Sequence, residues 1–269
     1  MNASQYRQAV VVLLALCACS PVASMEHSAI ENSVSTPRGP LDSTTLHRGY
    51  EVADPARIDR LRMAADAGRD DVALRTLIAL AERGHALAQR AAGSTLLARG
   101  DARSEVEGRR WLTAAAAQGD ALAMLSLGRA WLVGTRATPR DAARAGEWLT
   151  HAHTQSLTRA QAAYYLGLLS LPQDAPQAVA YFRESAEGGV AEAMYQLGNA
   201  YVSGEGVEPD RREAMRWYLR AAALDHPAAI QELSQAFARG DGYLPQSDFQ
   251  AAQMRRALEH ALRHPKAMP

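Results

Sequence analysis

Residues 189–204 read GVAEAMYQLGNAYVSG, and residues 119–134 read GDALAMLSLGRAWLVG. Gly189, Ala193, Leu197, Gly198, Tyr201 and Gly204 of the first stretch share their spacing with Gly119, Ala123, Leu127, Gly128, Trp131 and Gly134 of the second. A looser copy follows as Asp225, Ala229, Leu233, Ser234, Phe237 and Gly240. Gly84 to Gly119 is 35 residues, Gly189 to Asp225 is 36, and the 70 residues between Gly119 and Gly189 hold two units. A period in the mid-thirties marks a supersecondary unit that buries its apolar face only against copies of itself. The expected fold is all-α: a right-handed α-solenoid of stacked antiparallel helix pairs, with about six hairpins.

Each unit carries a second pattern. Ala214, Trp217, Ala221 and Ala222 lead to Asp225, as Gly108, Trp111, Ala115 and Ala116 lead to Gly119. Offsets of three, seven and eight share one helix face, so these segments are amphipathic with a narrow stripe of small residues. Paired helices are expected over 55–67 with 71–83, 85–99 with 104–118, and 120–133 with 140–154. The remaining pairs are 158–170 with 174–187, 190–203 with 210–223, and 226–238 with 248–262. Pro265 bars a longer final helix. The middle unit is irregular: Leu166 and Gly167 come about four residues late, and Ser170 stands where an aromatic is expected.

The glycines divide into two kinds. Gly84, Gly119 and Gly189 fall where second helices end and a left-handed residue is needed. Asp120 and Asp210 then serve as N-caps, and Asp210 with Glu213 has capping-box spacing. Gly128, Gly167 and Gly198 lie inside helices, where each costs roughly 1 kcal/mol relative to alanine. Their recurrence implies that the backbone of a neighbouring helix packs against them. Trp111, Trp148 and Trp217, with Tyr181 in the irregular unit, share a second-helix position read as inter-repeat core. Trp131 and Tyr201 share a first-helix position read the same way. Of the adjacent pair Tyr164 and Tyr165, one is expected to face outward as a contact residue.

These residues resemble the Sel-1-like repeat (SLR) family, relatives of the tetratricopeptide repeat. The unit from Gly189 to Asp225 matches best, including the inter-helix loop Gly204-Glu205-Gly206-Val207 and Asp210. In the unit from Gly119 to His153, Thr135-Arg136-Ala137 replaces the usual Gly-Val. The resemblance runs from about residue 55 to residue 262, with eroded first and last units, and it implies a protein-binding array.

Residues 1–18 read as a lipoprotein signal peptide. Arg7 precedes a short apolar run from Ala9 to Leu16, too short to span a bilayer of roughly 30 Å. The chain has two cysteines, Cys17 and Cys19, and Leu16-Cys17-Ala18-Cys19 is similar to a bacterial lipobox, which makes Cys19 the expected lipidated residue. Cleavage after Val22-Ala23-Ser24 is the competing expectation. Ser20 following Cys19 resembles the pattern of lipoproteins sent to the outer membrane. Residues 19–53 are rich in Ser, Thr and Pro without helical period and read as a disordered tether, reaching roughly 30–35 Å as a flexible coil. Asp54-Pro55 is a good helix start, so the repeat array is assigned to 54–264.

Composition excludes several functions. Basic and acidic residues balance at 29 each without a long run of either sign, which argues against a nucleic-acid partner. No phosphate loop is present, since Gly204-x-Gly206 lacks a third glycine and a preceding strand. His260 and His264 are four apart but have no third ligand, and His151 and His153 point to different sides of a helix, so no metal site is expected. Glu205, Glu208 and Asp210 read as solvated loop charge. No catalytic residue, cofactor or metal ligand is assigned, and the chain is expected not to be an enzyme. The expectation is an exported, periplasm-facing adaptor, joined to the membrane by an N-terminal lipid anchor. Its partner is another protein, an effector toxin in an immunity role or an envelope-complex subunit in a scaffold role. The alternative is a cell-wall or β-lactam hydrolase, as proposed for cysteine-rich relatives.

Overall fold

The computed structural model describes residues 54–67, 70–135, 138–240 and 244–263. The expected signal peptide, tether and Cys19 lie outside the described residues, as do Arg136, Ala137, His264 and Pro265. The described residues form twelve α-helices and no strand. They are α1 (Pro55–Ala67), α2 (Asp71–Glu82), α3 (Ala86–Arg99), α4 (Ala102–Ala117), α5 (Ala121–Val133) and α6 (Ala142–His153). Then come α7 (Arg159–Ser170), α8 (Ala175–Glu187), α9 (Ala191–Ser203), α10 (Arg211–Ala223), α11 (Pro227–Arg239) and α12 (Asp248–Arg263). Successive helices pair as expected, α3 with α4 through α11 with α12, and each pair packs on the next. The fold is an α-solenoid.

Polar punctuation holds the helix ends. The carboxylates of Asp70, Asp101, Asp120, Asp141, Asp174 and Asp210 accept backbone N–H groups of the helices they precede. Asp120 has a second duty, since Arg90 of the preceding hairpin pairs with it at 2.9 Å and ties two repeats together. Asp120→Ala removes cap and tie at once and is expected to cost roughly 1–2 kcal/mol, read as a lowered denaturant midpoint. Half of the capping box at Asp210 forms, its carboxylate accepting the Glu213 N–H at 3.1 Å, and the return bond does not. The Asp210 N–H donates to the Tyr201 carbonyl across the loop, and Glu213 instead takes the Arg216 guanidinium. At the ends of second helices, Gly84, Gly119 and Gly189 have φ of +88°, +88° and +90°, and Asp225 fills the same place at +63°. Their amides close the last turns, as Gly119 N–H does on the Ala116 carbonyl.

The irregular unit has a local cause. Between α6 and α7 no glycine takes the left-handed place; the chain runs through 154–158 instead, and Thr158 is fully buried. Its hydroxyl donates to the Ala152 carbonyl at 2.6 Å, which satisfies the end of α6 from the side. This longer crossing displaces Leu166 and Gly167 along the sequence.

Buried side chains form a series of clusters rather than one centre. One spans α1 to α4, a second joins α4 and α5, a third joins α5 to α7, and the largest runs from α8 to α12. That serial core is the mark of a quasi-one-dimensional array.

The helix-interior glycines are corrected in one respect. A Cβ on Gly128 would lie 2.6 Å from the side chain of Leu149, one on Gly167 2.6 Å from the Phe182 ring, and one on Gly198 2.5 Å from the Tyr218 ring. These glycines are sockets for a large side chain of the paired helix. Glycine faces glycine backbone in the α3–α4 pair, where a Cβ on Gly108 would meet the Gly93 carbonyl at 2.8 Å and one on Gly93 would meet the Gly108 carbonyl at 2.9 Å. The knobs Leu112, Leu149, Phe182 and Tyr218 each follow directly on Trp111, Trp148, Tyr181 and Trp217. The knob position is therefore the deep core, whereas of the expected core aromatics Trp111 is buried and the other three are half-buried.

Candidate protein-binding face

The first helices of the hairpins, α5, α7, α9 and α11, present one equivalent stripe. Ala123, Ala162, Ala193 and Ala229 are its buried register positions. Residues one before, three after and six after each of these share a face, because offsets of four and seven return to the same side of a helix. On α5 these are Leu122, Ser126 and Arg129; on α7, Gln161, Tyr165 and Leu168. On α9 they are Glu192, Gln196 and Asn199; on α11, Ala228, Glu232 and Gln235. Tyr164 and Tyr195 stand beside this stripe. All are half-buried except Gln235, which is exposed.

Contacts cross from hairpin to hairpin along the stripe. The Arg129 guanidinium lies 5.5 Å from the Tyr165 ring centre. Tyr165 meets Tyr164 edge-on at 5.1 Å, and Tyr164 leans on Phe182 at 6.3 Å. Of the pair expected to turn one tyrosine outward, both rings are half-buried and each supports the other. Tyr165, on the stripe, packs towards α5 through Arg129, and Tyr164, beside it, packs towards α8 through Phe182. Further along, Tyr195 stacks on His226 at 4.9 Å and lies 5.7 Å from Tyr218, whose hydroxyl donates to the Asn199 amide oxygen at 2.7 Å.

Electrostatics follow this layout. Burial pushes the Tyr164 hydroxyl up, with Tyr165 and the Glu192 carboxylate adding to it while a hydrogen bond with Gln196 opposes it. Burial raises Tyr165 too; Arg129 opposes that and Glu192 adds to it. Tyr218 is raised by burial first and by Glu232 next. His226 is lowered by burial, against the pull of Glu192. Its neutral ring accepts the Ala229 N–H on Nδ1 at 3.3 Å and so caps α11. The unfolded chain takes up that proton at an ordinary value near 6.5, above the folded value, so it binds more protons in that window. Stability therefore falls as pH drops from about 7 toward 5. His226→Asn keeps a capping side chain and is expected to flatten this slope, measured as denaturant midpoints across the same pH range.

The other sequence candidates fall elsewhere. Trp131, read as core, is half-buried between the guanidinium groups of Arg109 and Arg144, at 4.3 and 4.7 Å. Tyr201 is half-buried, with its hydroxyl 3.3 Å from Arg183. Trp217 lies under Arg220 at 4.3 Å. Ala193, Leu197 and Gly198 are buried core. Gly204 and Gly206 take φ of +77° and +75°, and a Cβ on Gly206 would fall 2.3 Å from the Ala175 carbonyl, so the loop seats against the start of α8. Glu205 and Glu208 are exposed there, while Asp210 is spent on its cap. His153 binds Glu184 at 3.0 Å and meets Tyr181 edge-on at 5.9 Å, an inter-repeat polar tie. Sequence reasoning missed Gly93, Thr158, His226 and Glu192. Of these, only His226 carried a signal, by preceding Pro227 at a helix start.

The Sel1 repeat family model matches residues 86–120, 121–152, 160–190 and 191–226. The gap between the second and third matches coincides with the Thr158 crossing. A Sel1 repeat protein from Oxalobacter formigenes superposes with a TM-score of 0.66 at 26% identity, over 78% of this chain and 89% of that one. A crystal structure of c5321, a protective antigen of uropathogenic Escherichia coli displaying an SLR fold, gives a TM-score of 0.59 at 29% identity over 70% of this chain. This chain spans 41% of c5321. The rat protein DAP3-binding cell death enhancer 1 is 34% identical over 97 residues, which are 35% of this chain and 19% of that protein. The chain therefore carries four Sel1 repeats within an α-solenoid of helix pairs, the architecture of a protein-interaction module.

Proposed function

We propose that this chain is an exported, lipid-anchored adaptor that holds another protein against the first-helix face of its array. The observation that carries the reading is the stripe on α5, α7, α9 and α11, from Arg129 and Tyr165 to Glu232, with Tyr195 and His226 stacked beside it. It places half-buried aromatic and polar side chains on four successive hairpins, and such residues are typical anchors of protein interfaces. Stacked helical repeats use surfaces of this kind for binding. Cys19, lipidated after removal of residues 1–18, supplies the membrane attachment and leaves the array facing the periplasm. The partner is either a toxic effector, which the array would neutralise as an immunity protein, or a subunit of an envelope complex. An adjacent toxin gene would mark the first and a secretion or polymer-export operon the second.

Two experiments test this. Cys19→Ser is expected to move the protein from the membrane fraction to the soluble periplasmic fraction; unchanged membrane fractionation contradicts the lipid anchor. Gln161→Arg places a charge on the stripe one turn before Tyr165 and is expected to abolish capture of the partner from envelope extract. Steady hydrolysis of a cell-wall or β-lactam substrate by the purified chain would overturn the adaptor reading.

A further inference from the structure

Resting on that docking face, we propose that its C-terminal half, on α7, α9 and α11, takes a basic segment of the partner polypeptide, with a lysine or arginine side chain seated against Glu192. The stripe residues of these three helices include two charged groups, Glu192 and Glu232, and both are carboxylates. Neither makes an ion pair with any described residue, although most half-buried carboxylates elsewhere in the array are used. Asp120 holds Arg90, Asp141 holds Arg144, Glu213 holds Arg216, and Glu184 binds His153. A half-buried carboxylate without a counter-ion on its own chain can take a charge-assisted hydrogen bond from an arriving lysine or arginine.

The surroundings suit that cation. Tyr164, Tyr165 and Tyr195 bring three phenol rings to the same stretch, and ring faces attract ammonium and guanidinium groups. The molecule already uses the arrangement on this face: at the N-terminal edge of the stripe Arg129 lies over Tyr165. Arg129 also ends the acidic lane, because it would repel a basic side chain placed on α5. Glu192 stands on α9, the middle of these three first helices, which puts it within the lane rather than at its margin. The amides of Gln196 and Asn199 flank it on the same helix and supply hydrogen bonds to a peptide backbone.

The test uses the full chain and two capped pentapeptides, one alternating lysine with alanine and one alternating glutamate with alanine. Ring proton signals of Tyr164, Tyr165, Tyr195 and His226 are followed by NMR at moderate salt. The lysine peptide is expected to shift these signals saturably, and Glu192→Gln with Glu232→Gln to weaken it about tenfold with an unchanged melting temperature. Equal shifts from the glutamate peptide, undiminished binding to the double variant, or no shift at these rings would overturn the proposal. If Gln161→Arg still abolishes partner capture while the lysine peptide leaves the rings unmoved, only the basic chemistry falls and the docking face stands.

Discussion

Gly198→Leu is expected to cost about 3 kcal/mol of stability, at the upper end for overfilled cores. The first atom of any side chain there would sit 2.5 Å from Cε1 and 2.7 Å from Cδ1 of Tyr218. Tyr218 cannot swing away, because its ring is buried and its hydroxyl is held by Asn199 at 2.7 Å. Leucine would regain the roughly 1 kcal/mol that glycine concedes inside a helix, so the clash must exceed that gain for the sign to hold. Denaturant unfolding of the variant gives the number. Combining Gly198→Leu with Tyr218→Ala should restore part of the loss, since the same volume is vacated on the facing helix; a strictly additive double variant would show that the two residues do not share a socket.

The second large effect belongs to the α3–α4 pair, where two helix backbones approach through facing glycines. Gly108→Leu would set a Cβ 2.8 Å from the Gly93 carbonyl oxygen and 3.1 Å from the Leu97 amide nitrogen, with no flexible side chain to yield. Separation of α3 from α4 is the only relief, and it would open the cluster around Leu96, Trp111 and Leu112. A loss of about 3 kcal/mol is expected, and even Gly108→Ala should destabilise. Gly146→Ala is the internal contrast. Its Cβ meets only the Leu169 Cδ2 methyl at 3.3 Å, a half-buried side chain that can turn. That change should be neutral or gain up to about 1 kcal/mol from helix propensity. Equal melting of the Gly108 and Gly146 alanine variants would contradict the packing account.

The architecture was legible because one period repeats. The first helices α3, α5, α9 and α11 are announced by Gly-His, Gly-Asp, Gly-Val and Asp-His, and the second helices α2, α4, α6, α8 and α10 by an aspartate cap. Boundaries accordingly fall within about two residues of those expected. What resisted reading depends on distance in space. Whether the neighbour of Gly198 is a backbone or a ring cannot be told from a glycine, and the knob lies one residue beyond the conspicuous tryptophan. The crossing at Thr158 hid because a buried threonine hydroxyl replaces the expected glycine without leaving a repeat signature. The candidate face was half visible. Tyr164 and Tyr165 stood out as aromatic neighbours, but Glu192 and His226 join them only when α7, α9 and α11 lie side by side.

The central claim, that a protein partner docks on the first-helix face, is tested most directly by quantitative capture from envelope extract with three forms of the full chain. These are the unmodified protein, Gln161→Arg on the stripe, and Glu147→Arg on the exposed surface of second helix α6. The account predicts that the unmodified chain and Glu147→Arg retain the same partner in equal amount and that Gln161→Arg loses it. Loss by Glu147→Arg with full retention by Gln161→Arg would place the partner on the opposite face and contradict the account.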